Sequence, residues 1–226
     1  MRLVYGSALA LAIASLVPLT TAAQDANRTV AGGGITAKGW QGKADGTGQV
    51  SEAKLSEEGK DLHVVTGPAI TYWNPANKAA GNYTVKATFT EPKYMNLNNH
   101  PHPYGIVIAG NDLGTDQQSY LYCAAYGDGK FIVRGFGPAS FQMNGRGEPN
   151  EAVAKAAGKD QPVKQEIAMS VKGDKVECAI NGKTVASYDK AALVSAGKLK
   201  STDGVCGVRF AHNTDATVSG LTMTKN

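Results

Sequence analysis

The side chains with the clearest chemical potential lie in His100-Pro101-His102-Pro103. Two imidazoles one residue apart on a proline-stiffened loop suit metal ligation, which needs neutral rings and a third donor from elsewhere. His212, Asp112 and Asp116 are the candidates for that donor, and a set of His100, His102 and His212 would take a divalent metal. No other cofactor is suggested by the residues. The structural alternative is a loop shaped by its prolines, with its imidazoles bonded to backbone.

A second group of side chains suits a polyhydroxyl ligand. Tyr120 and Tyr122 alternate with Leu121 and Cys123, so the two phenols should stand side by side on one strand face. Arg134 shares a face with Ile132, opposite Phe131 and Val133; Arg209 shares one with Gly207 and Ala211, opposite Cys206, Val208 and Phe210. His212 and Asn111 each follow a strand, and Trp73 stands at the end of one. Sugar rings need CH-rich stacking surfaces together with hydrogen-bonding groups, and these types supply both. Trp73, His102, Asn111, Tyr120, Tyr122, Arg134, Arg209 and His212 are therefore the candidate ligand-binding residues, with core packing as the alternative for the aromatics and a solvated or paired arginine as the alternative for the arginines. The loop from Gly135 to Pro149, bearing Phe141, Asn144 and Arg146, would either close over a ligand or form mobile surface.

Several reaction classes are absent from the sequence. Glycoside hydrolysis commonly uses two carboxylates about 5–10 Å apart, but no Glu-x-Asp-x-Glu strand occurs here. Glu166 and Glu177 fall out of register on one hairpin and read as surface groups. There is no Gly-x-Ser-x-Gly elbow, no His-Glu-x-x-His and no phosphate loop.

The elements that must position these groups are strands. Short segments rich in Val, Ile, Tyr, Phe and Thr alternate with Gly, Asn, Asp and Pro at Leu62–Thr66, Ile70–Trp73, Asn82–Thr90, Tyr104–Ala109, Ser119–Ala125 and Lys130–Gly135. The series continues at Val163–Val171, Lys175–Ile180, Lys183–Tyr188, Val205–Ala211 and Thr217–Thr224. Close spacing without long helices predicts an all-β antiparallel sandwich or barrel. A two-residue turn at Gly173-Asp174 sets Val171 opposite Val176, Met169 opposite Cys178 and Ile167 opposite Ile180; a one-residue slip would put core against solvent. The Asn181-Gly182 turn then brings Val185 opposite Cys178. Two short helices are expected, Glu151–Ala157 capped by Asn150 and Lys190–Ala196 capped by Asp189.

The chain has 226 residues, 42% hydrophobic and 19% charged, enough for one core and incompatible with disorder. Met1–Ala23 reads as a cleaved secretory leader: Arg2, an apolar run to Val17, Pro18, then small residues. A secreted or periplasmic location follows. A net charge of +4 without a Lys/Arg run argues against nucleic acid, and no later segment would hold the processed chain in a membrane. Residues 24–59 form a Gly-rich lead-in, mobile at its start and anchored by Trp40, and residues 60–226 form the domain. Cys123, Cys178 and Cys206 all sit in strands and read as buried small hydrophobes; any pairing among them is open.

The order of the segments resembles a concanavalin A-like jelly roll, and more narrowly the secreted bacterial 3-keto-disaccharide hydrolase-like family. The likeness is carried by Lys38-Gly39-Trp40, by Gly81–Ala87, by Tyr104–Gly110, by Val176–Val185 with its Asn181-Gly182 turn, by Gly207–His212 and by the closing strand Val218–Thr224. Ala109 stands where that family often has Arg, and Arg209 lies near its usual Gln. The resemblance implies two curved antiparallel sheets with a carbohydrate or glycoside ligand on the concave face or rim. Three functions then compete: a lectin-like carbohydrate-binding domain, a glycoside-acting hydrolase (metal-assisted through His102 and His212), and a structural envelope protein.

Overall fold

The computed structural model describes residues 25–226, so the leader Met1–Ala23 lies outside the described residues. The strands are β1 (Gly34–Ile35), β2 (Gln41–Ala44), β3 (Ala53–Glu58), β4 (Asp61–Thr66), β5 (Ile70–Ala79), β6 (Tyr83–Glu91), β7 (Tyr104–Asn111) and β8 (Ser119–Ala125). They continue as β9 (Lys130–Phe136), β10 (Ser140–Gln142), β11 (Glu148–Pro149), β12 (Val163–Lys172), β13 (Lys175–Ile180) and β14 (Lys183–Asp189). The helical turn α1 (Lys190–Leu193) follows, then β15 (Gly204–Phe210) and β16 (Asp215–Lys225). One sheet has the order β1-β3-β4-β16-β6-β12-β13-β14; the other is β10-β9-β8-β7-β15-β5-β2, with β11 pairing β9. Apart from the parallel β1–β3 contact, the pairings are antiparallel.

All eleven strands expected from alternation are present. The β12–β13 register is the one that the apolar pairs require, Ile167 opposite Ile180, Met169 opposite Cys178 and Val171 opposite Val176. Asn181 and Gly182 both take positive φ, 49° and 81°, as a type I′ turn demands. The next pairing departs from expectation: a bulge at Cys178/Ala179 sets Ala186, not Val185, opposite Cys178. β5 also runs six residues beyond Trp73, past Pro75, because a bulge at Val205/Gly207 of β15 keeps the two strands in step.

The core lies between the sheets. Tyr83, Val85, Ala87 and Phe89 of β6 meet Ile167, Met169, Val171, Cys178 and Ile180 from one layer and Leu121, Cys123, Val133, Val208 and Phe210 from the other. All three cysteines are buried, but Cys123 and Cys178 form a disulfide that pins β8 to β13 across the layers, leaving Cys206 free. The bond spans 55 residues of chain. Restricting the unfolded chain over that separation stabilises the fold by about 4 kcal/mol.

Three further expectations are corrected. Glu151–Ala157 forms turns and a bridge rather than a helix; the Asn150 side chain accepts from Ala152 N at 2.9 Å, but no second turn follows. The second helix stops at Leu193, and the Asp189 carboxylate pairs with Lys175 at 2.7 Å instead of capping it. Residues 34–58 are not a lead-in but supply β1–β3 to the two sheets, with Trp40 packed against the core. Glu166 and Glu177 are the surface groups expected, paired with Lys86 and Lys172.

Candidate functional site

β7 and β8 are buried on both faces. Their second apolar face, Val107, Tyr120, Tyr122 and Ala124 with Ile132 of β9, lies opposite the core. It floors a trough of about 740 Å³ lined by Tyr122, Ala124, Tyr126, Ile132, Arg134, Gln142, Arg146, Arg209 and the three imidazoles. Alternation places Tyr122, Arg134 and Arg209 on the face opposite the core, and all three line the trough.

Arg209 crosses the floor from β15. Its guanidinium makes a two-pronged contact with the Asp45 carboxylate, Nη1 to Oδ1 at 3.0 Å, and donates to Thr71 Oγ1 at 2.8 Å and to the Tyr120 hydroxyl at 3.2 Å. It also lies 5.1 Å and 4.9 Å from the ring centres of Tyr122 and Phe136. Its charge is already committed. Arg209 organises the floor rather than waiting for a ligand, the paired-arginine alternative rather than a free ligand-binding guanidinium.

Arg134 on β9 and Arg146 on the following loop take part in no ion pair among the described residues. Arg134 Nε is buried with no hydrogen-bond partner. Asp45 and Asp128 bring carboxylates to the lining, paired with Arg209 and Lys130 respectively. Four cationic side chains thus face two anionic ones, and the trough carries net positive charge. Tyr126, half-buried, is the aromatic ring that the trough leaves open; burial pushes its hydroxyl up to about 12.

The imidazoles stand at one end. The donor atoms of His100, His102 and His212 lie within 4.8 Å of one another, and His100 Nε2 is 2.8 Å from His102 Nε2. The backbone brings them together: Ala211 N donates to Pro103 O at 2.9 Å, joining the His loop to the end of β15. Asn213, at φ 51°, then accepts through its carbonyl from Asn98 Nδ2 at 3.1 Å. Burial pushes His102 down to about 4, with His212 and His100 adding to the effect, and it lowers His212 as well, so burial favours the neutral form of both rings. Nitrogen donors in such a group suit a transition metal. Asp112 and Asp116, the other third-ligand candidates, instead contact Lys200 and Lys43 away from the imidazoles.

Residues 25–28 are bonded to the imidazole loop and to the residue after His212. Asn213 Nδ2 donates to Ala26 O at 2.9 Å, its Oδ1 accepts from Arg28 N at 2.8 Å, and Asn99 donates twice to Asp25, at 2.7 Å and 3.0 Å. Asp25 Oδ2 is 3.6 Å from His100 Nδ1.

Three expected ligand residues are elsewhere. Tyr120 is 1% exposed and supports Arg209 from beneath Phe136, with ring centres 5.0 Å apart. Trp73 is buried beside Gly114. Asn111 staples the bulge at the end of β7, donating to Ala109 O and Asp203 O at 3.0 Å each. In the loop, Arg146 lines the trough while Asn144 binds β9 backbone through Val133 N and Phe131 O, and Phe141 covers Gly135. Asp25, Asp45, Tyr126, Asp128, Lys130 and Gln142 were missed. Asp25 and Asp45 lie in the stretch expected to be a lead-in, where neither an Asp beside Ala nor one before the Gly46 turn carries a local signal.

No family model and no curated protein matches the chain. Among solved structures, a Bacillus subtilis protein of unknown function with a galectin-like fold superposes at TM-score 0.55, 12% identity, over 82% of this chain and 89% of that one. The fold is a concanavalin A-like jelly roll. A Bacillus subtilis carbohydrate-binding module aligns at TM-score 0.48 and 9% identity, over 84% of this chain and 98% of its own.

Proposed function

We propose that the protein is an exported carbohydrate-binding domain whose trough takes a saccharide carrying an anionic group. One observation carries the reading: an open ring, Tyr126, and two arginines, Arg134 and Arg146, that have no ionic partners among the described residues face a single hollow over the second sheet. The ring offers a stacking face, and the guanidiniums offer paired donors to a carboxylate or sulfate. The leader-like first 23 residues and the inter-sheet disulfide both support an oxidising, extracytoplasmic location.

The test is a glycan array with the processed chain, followed by calorimetry with neutral and uronate-bearing oligosaccharides. Preference for the anionic set is expected, with at least tenfold weakening in Tyr126→Ala and in Arg134→Ala. Absence of binding to any glycan, or binding indifferent to both variants, overturns the reading and leaves the structural envelope role. A second reading, a glycoside-acting hydrolase of the 3-keto-disaccharide hydrolase-like type, is favoured by the imidazoles at the trough's end. Release of reducing sugar, lost in a His102→Ala, His212→Ala double variant, is the result that would select it.

A further inference from the structure

We infer that His100, His102 and His212 form a binding site for a borderline divalent transition ion of the zinc class, with Asp25 as the carboxylate that orients His100. The inference concerns the ion alone and is independent of whether the trough takes a sugar.

The donor set decides the class of ion. Three imidazole nitrogens suit Zn²⁺, Ni²⁺ or Cu²⁺, whereas Mg²⁺ and Ca²⁺ demand oxygen. Tetrahedral zinc at about 2.0–2.1 Å from each nitrogen sets the donors about 3.3 Å apart. The observed separations, 2.8 Å between His100 Nε2 and His102 Nε2 and at most 4.8 Å across the group, bracket that value. Imidazole rotations displacing the nitrogens by about 1 Å would close it.

The group is also supported as a ligand set rather than as loose surface. His102 and His212 are each 6% exposed, and the Nδ1 of each is buried with no hydrogen-bond partner. The prolines on either side of His102 and the Pro103–Ala211 hydrogen bond fix the loop to the strand that carries His212.

Asp25 supplies the second independent feature. His100 presents Nε2 to His102 at 2.8 Å and Nδ1, at 3.6 Å, toward the Asp25 carboxylate, which Asn99 holds with two hydrogen bonds. Carboxylate, imidazole and then metal is the order in which ligating histidines are oriented and made more basic. The three imidazoles line the trough, so the remaining coordination positions are open to water or to an oxygen of whatever occupies it.

The test uses the tag-free processed chain, stripped with chelator and titrated with Zn²⁺ by calorimetry, with metal analysis after desalting. One equivalent, bound at micromolar or tighter affinity, is expected. His100→Ala, at an exposed position, should weaken binding at least tenfold, and a His102→Ala, His212→Ala pair should abolish it. Asp25→Asn should cost about 10–100-fold and shift the visible spectrum of the Co²⁺ form, with Asp25→Glu restoring both. His63→Ala, which removes the only histidine outside the group, should bind normally. Unaltered melting temperatures of metal-free His100→Ala and Asp25→Asn separate ligand loss from misfolding. Substoichiometric zinc in the native chain, affinity indifferent to His100→Ala and Asp25→Asn, or loss in His63→Ala would overturn the assignment.

Discussion

Replacing Asp45 by alanine isolates the energetics of the trough floor. Arg209 is 7% exposed, and its one ionic partner among the described residues is Asp45. Removing one member of a fully buried pair costs about 3–5 kcal/mol, because the other charge is stranded. Here the Asp45 side chain is 39% exposed, so water already screens part of the attraction. Arg209 also keeps its bonds to Thr71 and Tyr120 and its stacking on two rings. The expected loss is therefore about 2–3 kcal/mol, or roughly 5–10 °C in Tm for a chain of this length. Urea and thermal denaturation of the disulfide-intact protein measure it. Adding Arg209→Met removes the stranded charge, so the double variant should lose less stability than the sum of the two single losses. A Tm change under about 2 °C in Asp45→Ala, or a double variant whose loss equals the sum of the singles, would refute the account of Arg209 as a buried, carboxylate-dependent cation.

Other perturbations follow from the same structure. Glu91 is 3% exposed, and burial raises its carboxyl from the ordinary 4.5 to about 7, with Met95 N partly offsetting this. The folded state then binds the extra proton between those values, so stability should fall as pH rises from about 4.5 to 7 and level off above. Glu91→Gln should flatten that slope, worth on the order of 3 kcal/mol across the window, as seen in denaturant melts at pH 5 and 8. Cys123→Ala with Cys178→Ala should lower stability by about 4 kcal/mol, and addition of reductant should have no further effect on that variant's melting curve. Asn213→Ala removes two side-chain hydrogen bonds to the Ala26–Arg28 segment. At about 1 kcal/mol each these bonds suppress local opening roughly 30-fold, so trypsin cleavage after Arg28 should accelerate by that order. An unchanged cleavage rate would mean the segment is held by something else.

The two-layer architecture was legible because alternation reports burial directly. In β6 and the β12–β13 hairpin, Ile167, Met169 and Val171 face apolar partners on both sides, Ala87, Val85 and Tyr83 on one and Ile180, Cys178 and Val176 on the other, and a one-residue slip would set core against solvent positions. The same logic failed wherever a segment lacked period two. β1 and β2 are short and Gly-rich, β3 reads Ala-Lys-Leu-Ser-Glu-Glu with only two apolar residues, and β5 continues past a proline. Their place in the sheets depends on neighbours distant in sequence, which local propensity does not record. The Asn150 and Asp189 caps were real polar groups, but each found a different partner.

For the site, alternation told which face Tyr122, Arg134 and Arg209 occupy but not what waits there. A strand buried on both faces, as β8 is, hides every outward residue equally, so Tyr120 and Tyr122 looked alike although only Tyr122 reaches the trough. Asp45 meets Arg209 across 164 residues and Asp25 reaches His100 across 75, contacts set by the way the N-terminal strands fold back over the sheets. The His-Pro-His-Pro loop was visible because prolines and paired imidazoles are rare together, and His212 joined it because β15 delivers its last residues to that loop. One strand therefore does two tasks: β15 places Arg209 in the floor and, three residues later, His212 in the imidazole group. A substitution that shifts the register of β15 should therefore alter the floor and the imidazoles together, whereas Asp45→Ala and His100→Ala should act separately.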